Sequence, residues 1–274
     1  MEHNSITSMT HPRPSQRVID AFGAVPPLEP VSGGRGTTFR AGDIILKRLD
    51  MTPEALQWQA EVLTPLTGRD DLRLSAPRKT RDGELIVDEW TAWNRLEGAT
   101  EPRRWDDIIR AGEHFCDYVK DVARPQYLDG RQDPWGIADR VAWGEQAVEK
   151  GIRAAPFLNE LLAILESIPA PSEPCQIIHG DLTGNTLFHP GKSPAVIDIS
   201  PYWRPRSFAT AIVVVDALAC ENAPMEWARG HLVTDTQRQV FTRALMFRIV
   251  SDHLSTAGDD YTRPIQLLRQ VIGC

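Results

Sequence analysis

Hydrophobic and polar positions along the 274-residue chain change their period after roughly its first third. Between Pro30 and Asp50, VSGGRGTTFRAGDIILKRLD joins a glycine turn, the β-rich TTF, an AGD turn and the apolar run IILK, which predicts a three-strand meander. Thr52, Pro53 and Glu54 predict a helix start, because threonine caps the first amides and proline fits the first turn. Leu56, Ala60, Leu63 and Leu66 recur every three or four residues, so this helix is expected to run to about Thr67, with Glu61 beside its packed face. In APRKTRDGELIVDEWTAW, Asp82-Gly83 marks a turn between strand-like segments. Beyond Gly98 the period becomes helical: Trp105, Ile108, Ile109, Phe115, Val119 and Val122 form one stripe, and LNELLAILESI gives a second. A β-rich first third followed by a helical remainder predicts an α+β fold with segregated layers, not the alternating units of a parallel α/β sheet. RVIDAFG adds a short helix, and the polar, aperiodic residues 1–16 read as a mobile tail.

Length and apolar content suit a chain with a sizeable core. No apolar run approaches the roughly 18 residues of a membrane span, and the N-terminus lacks the layout of a secretory signal, so a cytoplasmic protein without a membrane partner is expected. Cys116, Cys175, Cys220 and Cys274 form no CxxC pair, which argues for free thiols over a zinc ribbon or a disulfide framework. With 37 carboxylates against 30 Lys and Arg and no basic run, nucleic acid is not the expected partner.

The densest chemistry lies in QIIHGDLTGNTLFHPGKSPAVIDIS, residues 176–200, which reads as strand, loop, strand, turn, strand. His179, Asp181 and Asn185 fall in the first loop and Asp198 follows the apolar AVI. Phosphoryl transfer needs a carboxylate near the attacking hydroxyl and oxygen ligands for magnesium, and this segment supplies both. The competing reading is that Asp181 and Asn185 shape a turn and Asp198 ends a strand. Lys47, last of the apolar run IILK, can present a point charge to phosphate oxygens or lie in solvent; Glu61, fourteen residues on, is a candidate partner. Gly33, Gly34 and Gly36 allow close approach of backbone amides to a phosphate, or form an ordinary hairpin turn; GGRG matches neither the dinucleotide fingerprint nor the Walker pattern.

Taken together, Lys47, Glu61, the HGDLTGN loop and the IDIS strand resemble the aminoglycoside phosphotransferase family, a branch of the protein-kinase-like fold. The resemblance implies a bilobal protein, with a small β-rich N-terminal lobe over residues 17–97, a larger helical lobe over 98–274, and ATP between them. It further implies Lys47 on the α and β phosphates, Glu61 bracing Lys47, Asp181 as the base, and Asn185 and Asp198 on Mg2+. TAWNRLEG resembles the lobe-linking hinge whose backbone holds adenine, and His179 supports the catalytic loop rather than touching substrate. Asn185 lies four residues after Asp181 where the family usually has five, so Gly184 must adopt a conformation that absorbs the missing residue. Ile199 and Ser200 replace the Phe-Gly pair of regulated protein kinases, and the turn-rich PYWRP that follows is a candidate lining of the acceptor site.

The expected activity is transfer of the terminal phosphate of ATP to a hydroxyl of a small molecule such as an aminoglycoside-like antibiotic, a sugar or an amino alcohol. The alternatives are a nucleotide-binding pseudoenzyme or regulator of the same fold, and a kinase acting on protein, against which the short chain after Asp198 argues. Oligomeric state is not legible.

Overall fold

A computed structural model describes residues 13–31, 37–256 and 258–273. Gly33, Gly34 and Gly36 lie outside the described residues, as do Cys274 and residues 1–12 of the expected tail. In chain order the elements are α1 (Gln16–Phe22), β1 (Glu29–Pro30), β2 (Thr38–Ala41), β3 (Ile44–Arg48), α2 (Pro53–Leu63), β4 (Arg73–Leu74), β5 (Pro77–Arg78), β6 (Trp90–Asn94), α3 (Trp105–Val119), α4 (Pro134–Ala142), α5 (Leu158–Ser167), β7 (Cys175–His179), β8 (Thr186–His189), β9 (Lys192–Val196), β10 (Pro201–Pro205), α6 (Arg206–Cys220), α7 (Met225–Arg229), α8 (Asp235–Ser255) and α9 (Thr262–Ile272). The chain forms two compact units, Met1–Gly68 with Leu74–Leu96, and Arg69–Arg73 with Glu97–Cys274.

The first unit is built on an antiparallel sheet in the order β1-β2-β3-β6-β5. Because successive strand residues point to opposite faces, Ile44 and Leu46 of β3 pack with Val18, Ile19 and Phe22 of α1, while Ile45 packs with Leu56 and Ala60 of α2 and with Trp93. Lys47, two residues after Ile45, therefore lies on the α2 side of the sheet. Thr52 caps α2 by accepting from the Ala55 amide, with Pro53 in the first turn; the α-helix ends at Leu63 and a 3-10 turn covers Thr64–Leu66. Ser15 likewise caps α1 by accepting from the Val18 amide, so this helix and its cap begin inside the span read from sequence as tail.

In the second unit α6 and α8 form the interior. Ala211 to Leu218 of α6 are buried without interruption, and α8 is buried from Gln239 to Thr242, from Ala244 to Phe247 and from Ile249 to Ser251. Ile108, Ile109, Phe115 and Val119 of α3 are buried as the stripe requires. The helix stops at Val119, however, and Val122 follows in a turn closed by its amide on the Val119 carbonyl. β7 pairs antiparallel with β10, and β8 pairs antiparallel with β9. PYWRP is thus a strand, β10, and not the turn-rich segment the sequence suggested: prolines at its two ends leave the ladder amides of Tyr202 to Arg204 intact. Cys116, Cys175 and Cys220 are free thiols. No helix among the described residues is long and apolar enough to cross a membrane.

Candidate active site

The loop 180–185 is held by backbone and buried side chains before any reactive group is considered. It leaves β7 where the Gly180 amide donates to the Ser200 carbonyl, and it ends where the Ile197 amide donates to the Asn185 carbonyl. These two bonds bring Asp181, Asn185 and the 197–200 segment together. Leu182 is buried, and it lies so close to Gly112 of α3 that a Cβ on that glycine would sit 2.4 Å from Leu182 Cδ1. A Cβ on Gly180 would sit 2.4 Å from two ring carbons of the buried Tyr202, so only glycine fits there. Gly184 has φ +80°, the left-handed conformation that turns the short loop back to β8.

His179 ties the loop to the opposing segment. Its Nδ1 accepts from the amides of Asp181 at 3.1 Å and Ser200 at 3.4 Å, which leaves Nε2 protonated and donating to the Ile197 carbonyl at 3.3 Å. Burial disfavours the charged ring and pushes its pKa down to about 4. The neutral imidazole is a brace, and it contacts backbone on both sides.

Asp181 is held through both carboxylate oxygens. Asn185 Nδ2 donates to Asp181 Oδ2 at 3.0 Å and to the Asp181 carbonyl at 2.8 Å, and Arg248 Nη2 donates to Asp181 Oδ1 at 2.9 Å. Arg248 also grips Asp216 of α6, with Nε on Oδ1 at 2.8 Å and Nη2 on Oδ2 at 2.6 Å. Burial disfavours the charged guanidinium, but the Asp216 and Asp181 carboxylates outweigh that and hold it protonated. The Asp181 side chain remains 43% exposed and can meet a ligand.

Asn185 and Asp198 have the chemistry of a magnesium site. With its amide nitrogen committed to Asp181, Asn185 keeps its other side-chain atom, Oδ1, as a hard oxygen ligand. Asp198 is exposed, next to Ile197 in the ladder bond to Asn185, and has φ +47°, a conformation that aspartate tolerates better than most residues. Two protein oxygens suit magnesium, which keeps several of its waters. Among the described residues no group of three or more His, Cys, Asp or Glu is gathered as for a metal held by protein alone.

In the first unit, Lys47 Nζ lies 2.8 Å from Asp50 Oδ2, and the lysine side chain is 19% exposed. Glu61 sits on the exposed face of α2 and accepts from Gln57 Nε2 at 2.6 Å, one turn earlier. In the second unit Gly98, at the end of the expected hinge, has φ +136°, and a Cβ there would sit 2.7 Å from the Phe188 carbonyl. Its neighbour Ala99 exchanges both backbone bonds with Phe188.

Arg248 and Asp216 were not singled out in the sequence. A signal existed for Asp216, the lone charge inside ATAIVVVDALAC, since a charge in an apolar helix needs a partner. Nothing local identifies Arg248 as that partner. In β10, Tyr202 packs on Gly180, and buried Arg204 forms forked pairs with Asp139 at 2.9 and 2.7 Å and with Glu145 at 2.6 and 2.8 Å. Tyr202, Trp203 and Arg204 line a pocket together with Arg131, Asp139 and Glu145.

No family model matches the chain, and no curated protein matches it in sequence. Solved structures do resemble it. Aminoglycoside phosphotransferase APH(4)-Ia aligns with TM-score 0.56 at 16% identity, covering 92% of this chain and 96% of that one. Amicoumacin kinase hAmiN, in complex with AMP-PNP, Ca2+ and Ami, aligns with TM-score 0.57 at 11% identity over 90% and 89%. An aminoglycoside phosphotransferase from Alicyclobacillus acidocaldarius subsp. acidocaldarius DSM 446 aligns with TM-score 0.55 at 15% identity over 97% and 93%. At these identities the likeness establishes the α+β, protein-kinase-like fold of the chain.

Proposed function

We propose that the chain is a phosphotransferase that moves the terminal phosphoryl group of ATP to a hydroxyl of a small molecule. The observation that carries this reading is the Asp181 carboxylate, held by Arg248 and Asn185 yet accessible, beside a pair of oxygen ligands on Asn185 and Asp198. Asp181 takes the hydroxyl proton as the acceptor oxygen bonds to the γ-phosphorus; the bond from that phosphorus to the bridging oxygen breaks, and ADP leaves with the electron pair. Asn185 Oδ1 and the Asp198 carboxylate would hold magnesium, which supplies neutralisation of phosphate charge when bound. Lys47 is assigned to the α and β phosphates, Gly33, Gly34 and Gly36 to amide contacts with phosphate, and the backbone of residues 91–98 to adenine. Glu61 is assigned to brace Lys47, and Asp50, 2.8 Å from its Nζ, is a second candidate.

The compounds named in structures of this fold, hygromycin B, spectinomycin and amicoumacin, form the first acceptor panel, extended to sugars and amino alcohols. ADP release with saturating magnesium ATP is expected for at least one acceptor, with a fall of about 10²–10⁴-fold in Asp181→Asn. Nucleotide binding without any ADP release would replace this reading with that of a nucleotide-binding regulator.

A further inference from the structure

We infer that Arg248 and Asp216 form a positioning pair that sets the rotamer of Asp181, an inference that rests on the phosphotransferase reading. Asp216 is buried in α6, and two of its contacts come from one guanidinium edge, Nε and Nη2. A two-point grip of this kind fixes the plane of the guanidinium, which a lysine ammonium in the same place would not do. The second N–H of Nη2 is thereby aimed at Asp181 Oδ1. The Arg248 side chain is 12% exposed and that of Asp216 is 9% exposed, so neither swings freely.

A counter-ion role for Asp216 alone does not account for the contact with Asp181. The Nε and Nη2 bonds already satisfy the charge of Asp216, and Asp181 is exposed enough to be hydrated. The contact instead removes freedom from the one carboxylate that must meet a hydroxyl. Asn185 acts on Oδ2 from within the loop and Arg248 on Oδ1 from α8, so the carboxylate plane is fixed from two independent elements. Misplacement of a reacting group by about 1 Å costs on the order of 100-fold in rate.

The test compares wild type, Asp181→Asn, Arg248→Ala and the neutral pair Arg248→Met with Asp216→Asn, by ADP release from magnesium ATP with the acceptor panel and with water. The neutral pair avoids leaving an unpaired buried carboxylate, which keeps the fold accessible if Arg248→Ala does not fold. Expected is a fall in kcat of about 10- to 100-fold in the neutral pair with KM for ATP within about twofold, since the loss concerns positioning for reaction and not nucleotide binding. Millimolar guanidinium is expected to restore part of the rate to Arg248→Ala and none to Asp181→Asn. A folded neutral pair with wild-type kcat, or with kcat and ATP affinity falling together, would overturn the inference while the kinase reading stands. A wild type that releases no ADP with the panel or with water overturns the kinase reading and, with it, any role for Arg248 in turnover.

Discussion

The 44–63 and 175–200 segments each present charged side chains at or just beyond the end of a short strand, and they hold them by different means. Around Asp181 the polar contacts are partly buried and redundant: a neutral imidazole, an amide, a guanidinium and two ladder bonds converge on a few residues. Lys47, by contrast, pairs with Asp50, whose side chain is 53% exposed. A reacting carboxylate tolerates little displacement, whereas an ammonium acting as a point charge on phosphate tolerates more. The convergent contacts around Asp181 suit the first of those demands under the proposed reading.

The largest expected effect falls on Asp198, the proposed metal ligand. Saturation with ATP at about a hundred times its dissociation constant should stabilise the protein by roughly 2.7 kcal/mol. That gain is expected to require magnesium and to be lost in Asp198→Ala, as read by melting temperature with and without the metal. Retention of the full magnesium-dependent gain would remove Asp198 from the site.

Gly180→Ala tests the rigidity of the loop itself. With the new Cβ 2.4 Å from the Tyr202 ring, overpacking should cost about 1–3 kcal/mol in urea denaturation. A cost near zero would mean that Tyr202 moves aside without penalty.

The His179 brace predicts a pH dependence of stability. Its folded pKa of about 4 lies below its ordinary 6.5, so the folded protein refuses a proton that the unfolded chain accepts. Stability from this group is fully present above about pH 6.5 and falls by about 1.4 kcal/mol per pH unit as the pH drops towards 4. In His179→Gln the slope across that window should be shallower by about one proton, measured by urea denaturation at several pH values.

The smallest effect concerns the brace of Lys47. An exposed ion pair contributes about 0–1 kcal/mol, so loss of the brace, by Glu61→Gln or by Asp50→Asn, should reduce the ATP-induced rise in melting temperature only slightly. The variant with the larger fall identifies the partner of Lys47.

Much of the 175–200 segment was legible because its determinants are local. The glycines at 180 and 184, the alternation of apolar and polar residues, and the turn at 190–191 all act within a few residues of the groups they place. The contact of Lys47 with Asp50 was less legible, because a pair three residues apart across the end of a strand leaves no periodic signal. PYWRP misled because its two prolines suggest a turn, yet they sit at the ends of a strand.

By itself the sequence determined the α+β order of elements, the cap of α2, and the loop that carries Asp181, Asn185 and the approach to Asp198. Each depends on short-range sterics and hydrogen bonding. Only the tertiary structure decided that Arg248 reaches Asp181 across 67 positions and Asp216 across 32. The partner of a buried charge is chosen by how α6 and α8 pack, and no local pattern encodes that choice.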